Sequence, residues 1–105
     1  MTDAAGAVFG ALADPTRRFL VRSMAEDGPV TATELAERLP ISRQAVAKHL
    51  GALREAGLVD GAKEGRETRY RLTPGPFDAA TAWMADVGAR WDRRLGALQR
   101  HVERG

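Results

Sequence analysis

Ser42, Arg43, Gln44, Ala47 and Lys48 are the residues of this chain best suited to chemistry, and that chemistry is hydrogen bonding to nucleic acid. A glutamine amide suits the edge of adenine and a lysine ammonium suits guanine. Arg43 serves a guanine or a phosphate, while Ser42 and the backbone N–H groups after it suit a phosphate. They make one site only if a helix collects them. At about 100° per residue, Gln44, Ala47, Lys48 and Gly51 fall together on one face, opposite an i, i+4, i+7 stripe of Val46, Leu50 and Leu53. Ser42 is a good N-cap for that helix. Ala47 and Gly51 are small enough to let a base-pair edge approach. Taken alone, such a face also describes an ordinary solvated helix, so its neighbours decide.

Upstream, Thr31 with Glu34 three residues on has the form of a capping box, and Leu35, Ala36 and Leu39 supply an apolar side. Pro40 stops that helix, Ile41 plugs the corner, and Ser42 opens the next. Residues 31–51 therefore read as a helix-turn-helix. Downstream, Gly57 is a C-cap and Leu58-Val59 begins an extended run. Glu64-Gly65-Arg66 has the composition of a turn, and Thr68 to Leu72 alternates, so residues 58–72 read as a β-hairpin. Its expected cationic side chains are Lys63, Arg66 and Arg69, with Arg66 and Arg69 reaching a DNA backbone or minor groove. His49 lies beside the buried stripe and is expected to pack there and touch a phosphate.

Charge is distributed to match. Residues 43–71 hold seven Lys/Arg against four acids, whereas residues 1–42 hold four Arg against six acids. The positive excess thus sits on the reading helix and hairpin, where phosphates would displace counterions. The chain has 105 residues and no cysteine, which bounds it to one domain, 1–105, without thiol catalysis, disulfides or thiolate metal sites. No phosphate loop, Ser/His/Asp arrangement or carboxylate cluster at motif spacing appears, so an enzyme is not expected. No apolar run has membrane-span length and the start lacks the order of a signal peptide, so a cytoplasmic location is expected.

The two ends predict self-association. Trp83, Val87, Trp91, Leu95, Leu98 and Val102 recur every three or four residues along a final helix, 77–103, that follows a break at Thr73-Pro74-Gly75-Pro76. A helix of about 25 residues runs roughly 38 Å, longer than so small a core can cover. Near the start, residues 1–13 carry a second patch of Val8, Phe9 and Leu12, and Asp14-Pro15 then caps a helix whose Phe19, Leu20 and Met24 are expected to face inward. Segments 1–13 and 77–103 together suit a two-fold interface. Two reading helices in such a homodimer would enter successive major grooves about 34 Å apart on an imperfect inverted repeat of double-stranded DNA.

These pieces resemble the ArsR-type winged-helix transcriptional repressors. The resemblance rests on Ala11-Leu12-Ala13-Asp14-Pro15-Thr16-Arg17-Arg18, Glu34-Leu35-Ala36, Ser42 with Ala45-Val46 and Lys48-His49-Leu50, Leu53 to Val59, Gly65-Arg66 and Tyr70-Arg71-Leu72, in order over residues 9–73. Trp91-Asp92-Arg93-Arg94-Leu95 also looks like a branch of the family not known for metal sensing. The resemblance implies a mostly α winged helix-turn-helix of order α-α-α-α-β-β-α, with first and last helices at a homodimer interface, that represses transcription from operator DNA.

Many such proteins sense metals through cysteines on the first helix of the helix-turn-helix, where this chain has Thr31-Ala32-Thr33-Glu34. Others hold zinc between the terminal helices, where His101 is the only histidine, beside Asp86, Asp92 and Glu103. Zinc favours nitrogen and sulfur, so neither a metal nor a cofactor is expected. No motif names an effector. Two alternatives remain at this level: a winged helix that docks another protein, and a repressor with a ligand or metal site between its terminal helices.

Overall fold

The computed structural model describes residues 3–104; of the ranges 1–13 and 1–105 expected above, residues 1, 2 and 105 lie outside the described residues. The element order is α1 (Ala4–Ala11), α2 (Pro15–Asp27), β1 (Val30–Thr31), α3 (Ala32–Ala36), α4 (Arg43–Glu55), β2 (Val59–Glu64), β3 (Glu67–Leu72) and α5 (Pro74–Arg104). The helices that carry the site start where the side chains cap them. Asp14 accepts from the N–H groups of Thr16 and Arg17 at 2.8 and 3.1 Å, and Pro15 occupies the first turn, where its missing N–H costs nothing. Thr31 and Glu34 form both bonds of the capping box, at 3.1 and 3.2 Å. Ser42 Oγ accepts from the Ala45 N–H at 3.1 Å.

The end of α4 is equally specific. Gly57 takes a φ of 79°, which a Cβ would resist, and this turns the chain so that the Leu58 N–H reaches the Leu53 carbonyl at 3.0 Å and the Gly57 N–H reaches that of Arg54 at 2.9 Å. The side chains of Leu53 and Leu58 are both fully buried there, so one residue ends the helix and seats the next strand in the core.

The sheet is larger than the hairpin read from the sequence. Its strand order is β1-β3-β2, antiparallel throughout, with Val30 opposite Tyr70 and Val59 opposite Leu72. Two residues carry too little periodicity to announce β1, yet Gly28 and Pro29 had to end α2 just before two β-branched residues. The consequence is that β3 lies in the middle, with the helix-turn-helix attached to one of its edges. At the far end Gly65, at φ 65°, occupies the first position of the two-residue turn before Arg66.

Leu20, Leu35, Val46, Leu50, Leu53 and Leu58 form the centre of the core, joined by Val8 and Ala80 from the terminal helices. Leu20 and Met24 face inward as expected, but Phe19 does not. It is 37% exposed, because the buried stripe of α2 runs through Leu20, Ser23 and Met24 and leaves the preceding position at its margin.

Helix α5 starts at Pro74 and not at residue 77. Prolines 74 and 76 stand in its first turn, where no intrahelical N–H partner is needed, so the expected break is the start of the helix. It is 31 residues long, about 46 Å at 1.5 Å per residue, and Ala80 is its one buried residue among those described. Trp83, Val87, Trp91, Leu95 and Leu98 stay 44–59% exposed. The radius of gyration is therefore 18.6 Å, where a packed domain of this length has about 13 Å.

Candidate nucleic-acid interface

The exposed crest of α4 is flanked by two concavities. One, of about 210 Å³, lies between α3, the first turns of α4 and the wing, and it collects Arg43, Gln44, Ala47, Arg66 and Thr68. The other, of about 680 Å³, lies between α4 and α2 and is lined by Arg17, Lys48, His49, Gly51, Ala52 and Glu55. The residues expected to read DNA are thus divided across the crest, with Arg43, Gln44 and Ala47 on the wing side and Lys48 and His49 on the other. Ser42 is exposed at the helix start, its oxygen already accepting the Ala45 N–H and its hydroxyl hydrogen free to donate.

The wing is held to the helix-turn-helix by side chains. Thr33 Oγ1 donates to Glu67 Oε1 at 2.7 Å, so the first residues of α3 and β3 move together. Arg69 is committed to the same join. Its Nε donates to Glu64 at 2.7 Å, and its Nη1 donates to Glu34 at 3.1 Å and to the Pro29 carbonyl at 3.2 Å. Pro29 and Glu34 reach this guanidinium because β1 lies alongside β3; the bonds found engage Nε and Nη1, and Nη2 has no partner among the described residues. Arg66 and Lys63 remain exposed near the wing tip.

The charges of this network sustain one another. Glu64 beside Arg69 holds the guanidinium protonated above its ordinary value. The Thr31 N–H, with the Thr31 hydroxyl and Arg69 behind it, holds the Glu34 carboxyl below the usual range. A depressed carboxylate contributes stability above its ordinary pKa, and that contribution disappears as the pH falls through the lowered one. Arg66 and Arg69 should therefore separate experimentally. Arg66→Ala is expected to lower the salt dependence of DNA binding by about one phosphate contact per half-site at unchanged melting temperature. Arg69→Ala is expected to lower the melting temperature at neutral pH, with the difference from wild type narrowing in acid as Glu34 is protonated. Thermal melts by circular dichroism against pH, beside DNA titrations against salt, check both.

The second concavity contains a residue that sequence reasoning missed. Arg17 Nε donates to His49 Nδ1 at 3.3 Å, across 32 positions of sequence. The only signal was the Asp14-Pro15 cap, which places Arg17 in the first turn of α2. Arg17's own N–H bond is the main reason the Asp14 carboxyl is held below its ordinary value. Among the described residues, no three His, Asp or Glu side chains come together to hold a metal. No described helix is long and apolar enough to cross a membrane.

The residues expected at an interface differ in their surroundings. Val8 is 1% exposed and packs within its own chain, and Leu12 is half-buried against the same core. Phe9 is 38% exposed and meets Trp83 edge to face, with ring centroids 5.4 Å apart. Trp83, Val87, Trp91, Leu95 and Leu98 share the exposed side of α5.

A helix-turn-helix with an exposed polar crest, followed by an antiparallel wing, defines a winged-helix DNA-binding protein. Comparison with known proteins agrees, since a family model described as a helix-turn-helix domain matches residues 12–62. The chain is 42% identical to an ArsR-like transcriptional regulator from Rhodococcus sp. RHA1, with a TM-score of 0.77 and coverage of 92% of this chain and 91% of that one. It is 30% identical to the transcriptional repressor SdpR of Bacillus subtilis over 84% of this chain and 97% of that protein. It is 25% identical to Mb0332 of Mycobacterium bovis, described as a homodimeric winged helix-turn-helix DNA-binding domain, with a TM-score of 0.63 and coverage of 89% and 82%. The chain belongs to the ArsR family of transcriptional regulators. It regulates transcription and is not an enzyme.

Proposed function

We propose that this regulator is a homodimeric repressor that reads an imperfect inverted repeat in double-stranded DNA. The observation that carries the proposal is the crest of α4, where Gln44, Ala47, Lys48 and Gly51 are all exposed while Val46, Leu50 and Leu53 are buried. A helix with side chains is about 10–12 Å across and the major groove about 12 Å wide, so this crest can lie along the base edges. Gln44 and Lys48 meet bases, Arg43 a guanine or phosphate, and Ser42, Lys63 and Arg66 the backbone.

The second copy is the occupant of the bare face of α5. About 23 residues of that helix, roughly 35 Å, extend past Ala80 with tryptophan and leucine turned outward. The apolar concavity of about 370 Å³ beside it, lined by Phe9, Trp83 and Met84, gives the partner's side chains a seat. Two-fold pairing doubles the phosphate contacts and fixes the spacing of the two reading helices. Repression follows from occupancy, since a dimer straddling two grooves excludes other proteins from the same stretch. The likeness to SdpR supports the same sign of regulation.

Selection of bound duplexes from a random pool tests this directly. The expected result is an enriched inverted repeat whose half-site centres lie about 10 base pairs, or a multiple, apart. Absence of any enriched sequence, with wild-type protein bound no better to its promoter than to random duplex, would support the docking of another protein instead.

A further inference from the structure

A helix lying in the major groove has a phosphate strand on each side of it, so it needs cationic groups on both flanks. On the wing flank the chain supplies Arg43 and Arg66. On the other flank the one cation that α4 supplies, Lys48, is assigned to a base edge, and its neighbours Gly51 and Ala52 carry no charge. The structure fills that deficit from a distant part of the chain. Arg17 lines the same concavity, its backbone locked by the Asp14 cap and its Nε held by His49 Nδ1 at 3.3 Å.

We propose that Arg17, aimed by His49, is a second backbone-phosphate clamp, so that each reading helix is gripped by the wing on one side and by the start of α2 on the other. The assignment rests on the DNA-reading function proposed above and adds to it a binding residue outside the helix-turn-helix and the wing. One nitrogen of the guanidinium is used by His49, which leaves the N–H groups of both terminal nitrogens to meet phosphate oxygens. Since Nδ1 accepts, the ring hydrogen sits on Nε2, where it is a further donor. His49 is thus a positioning residue: it fixes the direction of a long, flexible side chain before DNA arrives, which lowers the entropy lost on binding. Glu55 is the one acid in the concavity, and it stands seven residues beyond Lys48. At 1.5 Å per residue that is about 10 Å toward the end of α4 that leaves the groove.

The clamp has a signature that a packing role lacks. The probes are a duplex bearing the selected inverted repeat and a scrambled duplex of equal length, each titrated with wild type and variants over a range of salt. Arg17→Ala is expected to reduce the slope of log affinity against log salt by about 0.9 per half-site, or roughly 1.8 per dimer. The loss should be the same on both duplexes, so that the preference between them is unchanged. Ethylation of single phosphates should show, for wild type, an interfering position on the strand opposite the wing contacts, and that position should fall silent in Arg17→Ala. His49→Asn, which keeps an acceptor near the place of Nδ1, should retain the signal, and His49→Leu should weaken it.

If Arg17→Ala proves unstable, Arg17→Gln keeps the stem and an N–H for His49 while discarding the charge, and carries the same expectation. The proposal is overturned if both Arg17 variants keep the wild-type slope and ethylation pattern while Arg66→Ala alters them, because Arg17 would then serve only to pack against His49. If instead wild type shows no ethylation interference on either duplex, the DNA-reading function itself fails and the clamp fails with it.

Discussion

Trp91→Glu combined with Leu95→Glu is expected to yield a folded monomer that has lost operator binding. The two side chains are 58% and 45% exposed in the single chain, one helical turn apart on α5, and neither belongs to the core around Leu20, Leu50 and Leu53. Removing them therefore takes nothing from the fold of the protomer. Adding four carboxylates across a two-fold face, where apolar surface should be buried, leaves charges that must either stay in water or be buried without partners, and the second choice is prohibitive. The monomer should then sediment as a single chain at micromolar concentration, with the circular-dichroism spectrum and cooperative melt of a helical domain.

The effect on DNA is larger than the effect on the protein. In the dimer the second half-site is bound as an intramolecular step, and linking two sites in this way typically raises affinity by about 10² to 10⁴ without any new contact. The double variant should lose that factor on the inverted repeat. On a scrambled duplex, where the second site contributes only general phosphate contacts, the loss should be smaller. A variant that still sediments as a dimer would place the interface elsewhere.

The second large effect is expected from Gln44→Ala. Gln44 is exposed near the start of α4, on the concavity it shares with Arg43 and Arg66, so truncation leaves no cavity and alanine suits a helix at least as well. Melting temperature and dimer mass should be unchanged. A bidentate amide contact to adenine discriminates by about 1–3 kcal/mol, and two-fold symmetry makes the loss twice that, about 2–6 kcal/mol per dimer. Repeating the selection with the variant should erase the preference at one position in each half-site and leave the rest of the repeat intact. Lys48→Ala should erase the preference at a different position of each half-site, a guanine, since its ammonium is assigned to that base edge. Retention of the full preference by Gln44→Ala would remove this residue from base recognition.

Much of the architecture was legible because it is set by short-range rules. Thr31 with Glu34, Asp14 with Pro15, and Ser42 each announce a helix start, since the orphan N–H groups there need a side-chain oxygen in the right register. Gly57 announces an end because a left-handed φ excludes a Cβ. The stripe of Val46, Leu50 and Leu53 identifies the buried face of α4, and so identifies its exposed face by subtraction. The unspent apolar side of α5 was visible in the same way, as more hydrophobic length than a small core can cover.

What escaped the linear reading depends on residues far apart in the chain. Strand β1 is two residues long and exists because β3 offers its edge at Tyr70 and Arg69 to Val30 and Thr31; no local pattern that brief is distinguishable from a loop. That pairing brings Pro29 and Glu34 to Arg69 and gives this arginine a bracing role that the sequence did not show. The meeting of Arg17 with His49 likewise spans 32 positions. Caps, turns and helix faces are written in neighbouring residues because their energies come from bonds within a few residues. Which arginines are left free for phosphate is decided by long-range pairing of charges, and such pairing depends on distances that exist only once the sheet and helices have closed around the core.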